Sequence, residues 1–297
     1  MGVSAPLPVT DRFMEVLERL SERSVEDYYN PYQTFQWPET LEENRFWMTP
    51  ELLTVYGTEH YDTLGEETLQ RLSKWESINF YSLNVHGIRE LLIEVVGRIH
   101  MPGFEVPSDF FHHFIGEENE HMWFFSEFCR RYGHKIYGST AMRADAAWEP
   151  EVENFLVFTR ILFFEELVDH YNSRMAKDDS LCHTIREVNR IHHQDESRHI
   201  AFGRELVSLL YSRMCQSVGA ERVREVEAYL KRYVVYSTNS LYNPHVYRDA
   251  GIPDPLALRN SLVADERRRP HERKAIRKPL SFFLKTGIFS DDILPVV

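Results

Sequence analysis

The sequence contains the same pattern twice, as EENEHMWFFSEF at residues 117–128 and as DESRHIAFGREL at residues 195–206. Aligned without gaps, they share four positions: Glu118/Glu196, His121/His199, Phe124/Phe202 and Glu127/Glu205. Glu and His three residues apart on a helix project from one face, so each copy can present a carboxylate and an imidazole to one point. Two Glu-x-x-His units on separate helices are typical of ferritin-like bundles that hold two metal ions.

A single Glu-x-x-His on a helix is usually a solvated surface pair, and the surroundings of these two argue against that interpretation. Phenylalanines crowd the first motif and also precede Glu165; they are Phe110, Phe111, Phe114, Phe124, Phe125, Phe155, Phe158, Phe163 and Phe164. Burying several ionised carboxylates among aromatic rings costs too much free energy unless cations compensate them. The pattern therefore predicts a buried metal centre.

Apolar periodicity and helix-breaking residues predict the order of the helices. The predicted segments are 9–28, 66–100, 108–132, 151–176, 182–213 and 220–238. HMPGFEVP joins the second to the third and AKDDS the fourth to the fifth, and such short connections make antiparallel neighbours. We expect one all-α domain over 1–297, a ferritin-like four-helix bundle with additional helices. Its core is expected at about 66–213, with an extended N-terminal arm at 29–65 and a C-terminal tail at 243–297 whose basic run is a solvated face or a docking segment.

The other two helices should each supply a glutamate at the depth of the repeated motifs. Glu165 lies 31 residues before Glu196, and the midpoint falls in the Asp179/Ser180 turn. Glu90 lies 28 residues before Glu118, and the midpoint falls in the Pro-Gly turn. Both therefore satisfy the depth criterion for a ligand. The alternatives are Glu94 for Glu90 and Glu166 for Glu165.

HHQDESRH adds a seventh candidate ligand. His192 precedes Glu196 by four residues and shares its helix face, while His193 is the competing choice. Glu117 and Asp195, just before the two motifs, could accept the outer N–H of ligand histidines, as carboxylates often do. Alternatively, these two acids are solvated charges.

Bulk composition excludes several classes of protein. Charged residues make up 27% of the chain and hydrophobic residues 43%, which is ordinary globular composition. A formal charge of -12 argues against nucleic acid as the main partner. No apolar run approaches the roughly 20 residues of a membrane helix. The three cysteines are scattered, and the N-terminus lacks the pattern of a secretory signal, so we expect a cytoplasmic protein.

Carboxylate and imidazole ligands without thiolate suit iron or manganese. The series Glu165, His192, Glu196 and His199, with Glu118 and His121 before it, resembles the para-aminobenzoate N-oxygenases, non-haem diiron enzymes that make aryl nitro groups. That family adds a third histidine to the usual four carboxylates and two histidines, and HxxxExxH looks like that pattern. The stretches YNPYQTFQWPE and WMTPELLTVYG look like the arm before its bundle. The family's first glutamate motif has no clear counterpart, so Glu90 rests on depth alone.

The resemblance implies two non-haem iron ions, dioxygen as co-substrate, and no catalytic residue beyond the metal ligands. It implies oxidation of an arylamine or amino precursor of a secondary metabolite to a hydroxylamine, nitroso or nitro product. Electrons would come from an external donor of the ferredoxin or flavin-reductase type, and a homodimer is expected. Fold alone does not choose the reaction, so a diiron hydroxylase or desaturase and a ferritin-like iron oxidation and storage protein are the alternatives. The extra histidine and the aromatic walls favour a catalyst.

Overall fold

The computed structural model describes residues 9–139, 142 and 147–295, and every regular element in these ranges is helical. The α-helices are α1 (Asp11–Glu26), α2 (Pro31–Thr34), α3 (Glu59–Thr63), α4 (Glu66–Val96), α5 (Ser108–Phe128), α6 (Pro150–Met175), α7 (His183–Ser217), α8 (Ala220–Asn239), α9 (Pro244–Asp249), α10 (Pro255–Ala264) and α11 (Arg269–Thr286). The all-helical, ferritin-like fold predicted from the sequence is confirmed.

Four of these helices, α4 to α7, form the bundle. The most extensive pairings are α6 with α7 and α4 with α5, the two predicted hairpins. Helix α5 passes at Phe128 into a π-helical turn (Cys129–Gly133), and His134 ends it in the left-handed conformation, φ 53°. Gly133 is needed there because a Cβ atom would lie 2.8 Å from the side chain of Ile78.

Aromatic rings fill the bundle. Phe111 stacks on Phe158 with ring centroids 5.6 Å apart, and Phe110 lies 4.7 Å from Phe202. These rings come from α5, α6 and α7, so the three helices share one dry core. Burial of each ring stabilises the fold by roughly 2–3 kcal/mol.

The arm wraps the bundle in short helical turns. Trp47 and Leu53 are buried, and the backbone N–H of Trp47 donates to Ser73 Oγ of α4 at 3.0 Å. Glu76 of α4 accepts from the backbone N–H of Thr54 at 3.0 Å and also from its hydroxyl. The arm is therefore fixed to α4 by polar contacts as well as by packing.

The segment after Asn243 is more regular than the sequence indicated. It forms α9, α10 and α11, and α11 packs against α6. The apolar residues Ala275, Ile276, Leu280 and Phe283 recur at helical spacing between the cations, and all are buried. The basic run is thus mostly the outer face of a docked helix. In the described ranges, no helix has the length and apolarity to cross a bilayer.

Candidate metal centre

The two repeated motifs meet inside the bundle. Glu118 and His121 of α5 and Glu196 and His199 of α7 are buried, and one ligand atom from each lies within 4.8 Å of the others. The motifs come together because α5 and α7 run antiparallel, so each Glu-x-x-His unit faces the other across the bundle axis. The arrangement is suited to a metal ion.

Two further predicted residues border this cluster. His192 lies one turn before Glu196 on α7, and its Nε2 atom is 2.8 Å from Glu196 Oε1. Glu165 of α6 is 3% exposed. Its pKa is raised well above the usual value, first by burial and then by the negative charges of Glu196 and Glu118. The structure thus brings six predicted ligands from three helices to one place.

The two motif histidines are oriented by acids from opposite helices. His121 Nε2 lies 2.9 Å from Asp195 Oδ2, and His199 Nε2 lies 2.7 Å from Glu117 Oε2. Their inner Nδ1 atoms face Glu118 Oε1 at 3.3 Å and 2.7 Å respectively. An acid that accepts the outer N–H leaves the inner nitrogen with its lone pair free for a metal.

Arg198 links the two orienting acids. Its guanidinium donates to Glu117 Oε1 at 2.8 Å and to Asp195 Oδ1 at 2.6 Å, and it also reaches Asp27 at 3.1 Å. The hydroxyl of Tyr29, from the arm, donates to Asp195 Oδ2 at 3.2 Å. The outer side of the cluster is therefore a closed polar network that fixes both acids.

Buried charges shift the pKa values of the cluster residues. Burial opposes protonation of His121, but the Glu118 carboxylate and Asp195 outweigh it and raise its pKa to about 10. Burial also opposes ionisation of Glu117, but His199 and Arg198 lower its pKa to about 2. Metal ions must displace the proton on the inner histidine nitrogen, so metal binding releases protons.

Unpaired polar atoms test whether metal ions fit these residues. Eight buried side-chain atoms of the cluster form no hydrogen bond within the described residues, although His192 Nε2 and His199 Nδ1 lie 2.8 and 2.7 Å from carboxylate oxygens. The eight are both oxygens of Glu118 and of Glu196, one oxygen of Glu165, His121 Nδ1, His192 Nε2 and His199 Nδ1. Leaving one buried polar group unpaired costs roughly 1–3 kcal/mol. Because these atoms face a shared interior, coordination to metal would satisfy them together, and the donor set fits iron.

Glu90, the predicted ligand from α4, does not join the cluster. Its side chain is 55% exposed beside Arg89, and the alternative Glu94 pairs with Arg98 at 2.6 Å. The depth criterion places a residue along the helix axis but leaves its direction around the axis open. Glu90 lies at the right depth and faces outward.

Glu166 and His193, the other two alternative ligands, bind side chains outside the cluster. Glu166 receives two hydrogen bonds from Arg204, at 2.8 and 2.9 Å, and His193 pairs with Asp169. Glu165 and His192 are therefore the members of each pair that border the cluster.

Three residues of the site were not identified from the sequence. Asn172 of α6 hydrogen-bonds to His192 Nδ1, and Arg198 and Tyr29 bind the orienting acids. Arg198 carried a signal, because it stands inside the second motif between Asp195 and His199. Asn172 and Tyr29 reach the site only through tertiary packing.

A cavity of about 330 Å³ opens between α4, α6 and α8. Its walls are mostly aromatic and aliphatic, with Glu90, Glu94 and Arg160 among the polar lining residues. Phe164, directly before Glu165, lines it, and its ring occupies the space above Gly87, where a Cβ atom would lie 2.4 Å from the ring. The cavity therefore lies beside the helix segment that carries Glu165.

The chain is similar to mycobacterial proteins and matches a family model. The uncharacterized proteins Rv0885 of Mycobacterium tuberculosis (strain ATCC 25618 / H37Rv) and Mb0909 of Mycobacterium bovis (strain ATCC BAA-935 / AF2122/97) are each 27% identical to the chain over 204 residues. The match covers 65% of this chain and 60% of each relative. The family model described as p-aminobenzoate N-oxygenase AurF matches residues 10–287. The chain therefore belongs to the p-aminobenzoate N-oxygenase AurF family, the family that its histidine pattern resembles.

Proposed function

We propose that the protein is an oxygen-dependent diiron oxygenase that oxidises the nitrogen of a small arylamine. The observation that carries the proposal is the buried cluster of Glu118, His121, Glu196 and His199, in a chain of an N-oxygenase family. Glu165 and His192 would complete the set of ligands. Two iron ions held there would supply the electrons and coordination sites that activate dioxygen.

The chain's own part in the reaction begins with orientation. Asp195 and Glu117 hold the protons on the outer nitrogens of His121 and His199, which keeps the inner nitrogens directed into the cluster. For His192 to bind a metal through the lone pair of Nε2, its Nδ1 must carry the proton. The side-chain carbonyl of Asn172 can accept that proton's hydrogen bond if the amide is turned by 180°.

The aromatic rings around the cluster exclude water. Phe114 lies 4.4 Å from the ring of His199, Phe125 lies 4.8 Å from that of His192, and Phe124 lies 5.5 Å from that of His121. A dry site strengthens the electrostatic interactions inside it and protects reactive oxygen species from side reactions. Such a wall favours catalysis on an organic substrate over an open route for iron storage.

We propose that the substrate approaches through the cavity between α4, α6 and α8, whose lining includes Phe164, next to Glu165, but none of the six gathered ligands. Phe80, Phe164, Tyr171 and Tyr233 offer flat apolar walls, which suit an aromatic ring. The cavity volume of about 330 Å³ is in the range of small-molecule sites. Glu90 and Glu94 line it, so these two acids would contact solvent or substrate rather than metal.

A single-turnover reaction under ¹⁸O₂ tests the proposal. The protein is loaded anaerobically with ferrous iron, mixed with p-aminobenzoate or another arylamine, and exposed to the labelled gas, and products are examined by mass spectrometry. We expect an oxidised nitrogen that carries ¹⁸O. The variant Glu196→Ala should give no product, since Glu196 lies within reach of three ligand histidines.

Two outcomes would contradict the proposal. Label on carbon instead of nitrogen would make the protein a hydroxylase. Accumulation of many irons per chain without any oxidised organic product would support the storage alternative.

A further inference from the structure

Tyr81 fixes the register of α4 against its two neighbours. Its ring stacks on Phe125 of α5 with centroids 5.1 Å apart. Its hydroxyl accepts a hydrogen bond from Asn189 Nδ2 of α7 at 2.7 Å. Both α4 and α7 run antiparallel to α5, so α4 and α7 run in the same direction.

Two helical turns from this contact lies the metal cluster. Seven residues make about two turns and roughly 10.5 Å and return to nearly the same face. Seven residues after Asn189 is Glu196, and seven residues before Phe125 is Glu118. The α4 residue at the same level and on the same face is Ile88, which is 1% exposed.

The face of α4 that looks toward the cluster therefore offers no carboxylate at the level of the metals. Leu91, one turn further along, is buried, and Asn84, one turn before, is buried with its Oδ1 unpaired, so its neutral oxygen is the polar group on this face. Glu90 follows Ile88 by two residues, which is about 200° around the helix, so it faces the other way. All of α4 is described, and its buried acid is Glu76. Glu76 lies about three turns before Ile88 and accepts a hydrogen bond from Thr54.

This leaves the two metal positions with unequal donors. Helices α6 and α7 supply Glu165, His192, Glu196 and His199, whereas α4 supplies no ligand at this level. An ion on the side of α4 would depend on His121, whose Nδ1 lies 3.3 Å from Glu118 and 3.6 Å from Glu196, and it would share these carboxylates with the other ion.

We propose that the protein holds one metal ion tightly and a second ion weakly, because α4 presents Ile88 where a carboxylate ligand would be needed. The inference rests on the proposed function, since it concerns the same two ions. Loss of an outer partner of a ligand alone costs roughly 10–100-fold in metal affinity, so absence of a ligand should cost at least about a hundredfold. The second position would be filled only at high iron concentration.

Calorimetric titration of the metal-free protein with Mn²⁺, and anaerobically with ferrous iron, tests this inference. The wild-type protein should bind in two phases whose dissociation constants differ by at least about a hundredfold. Ile88→Glu should bring the two phases together. Ile88→Gln, of equal size but without charge, is the matched control and should stay biphasic.

The outcomes separate the inference from the proposed function. Two equal, tight ions in the wild-type protein would overturn the inference and leave the diiron proposal standing. An unchanged isotherm for folded Ile88→Glu would also overturn it. If the added charge prevents folding, the wild-type isotherm decides alone. Absence of any metal binding would overturn both.

Discussion

At the scale of residues, His192 and His193 are neighbours in sequence with different surroundings. His192 is 1% exposed and its Nε2 faces Glu196, whereas His193 is one-third exposed and pairs with Asp169. The helix turns about 100° per residue, which takes one ring into the bundle and the other out of it. Replacing each of the two histidines in turn therefore tests what an extra imidazole at the cluster contributes.

We expect His192→Ala to keep the fold, because five of the six gathered ligands remain. The variant should lose most of the oxygenation rate. His193→Ala should retain most of the activity. Single-turnover yield measures the rate, and circular dichroism controls for folding. If His192→Ala were as active as the parent, the third histidine would not be needed for oxygenation. An ordinary diiron hydroxylase or desaturase would then be favoured.

Local spacing along a helix determined which site residues could be predicted from the sequence. Glu118, His121, Glu196 and His199 were predictable because each pair is three residues apart on one helix, where spacing alone fixes the shared face. Glu90 was not, because its placement needed the rotation of α4 about its axis. Buried Tyr81 and Asn189 set that rotation through a tertiary contact that no local pattern encodes.

At the scale of elements, Glu76 joins the arm to α4. Burial raises its pKa to about 7, against the opposing effect of its hydrogen bonds from Thr54. A carboxyl whose pKa is higher in the folded state stabilises the fold at low pH. That contribution is complete below about pH 4.5 and is lost as pH rises through 7.

We expect the free energy of unfolding of the wild-type protein to fall by roughly 3 kcal/mol more between pH 4.5 and 8 than that of Glu76→Gln, since one pKa unit corresponds to 1.36 kcal/mol. Urea unfolding at several pH values measures the difference. Glu67→Gln, an exposed position on the same helix, should behave like the wild-type protein. Parallel curves for wild type and Glu76→Gln would show that Glu76 carries no such proton.

Elements were the part of the fold that the sequence predicted well. The six long helices follow from apolar periodicity and from Pro and Gly at their ends, and each is present. The helices after Asn243 were missed because their cations and prolines resemble a solvated tail. Only docking of Ile276, Leu280 and Phe283 against the rest of the protein makes α11 an amphipathic core helix.

At the scale of the whole molecule, the bundle and the arm enclose a group of charges that could not be buried without compensation. Three carboxylates and three histidines meet inside an aromatic wall. Two acids from opposite helices orient the histidines, and Arg198 ties those acids together. We therefore propose that the bundle holds a pair of cations at this cluster.

The most direct test of that claim is a Mössbauer spectrum of the protein loaded with excess ⁵⁷Fe²⁺, before and after exposure to oxygen. We expect two ferrous ions in the bundle that oxidise together to an antiferromagnetically coupled diferric pair. The signal should be lost in Glu118→Ala, which removes a carboxylate that faces both motif histidines. Isolated mononuclear ferric ions as the only species, or iron that does not react with oxygen, would contradict it.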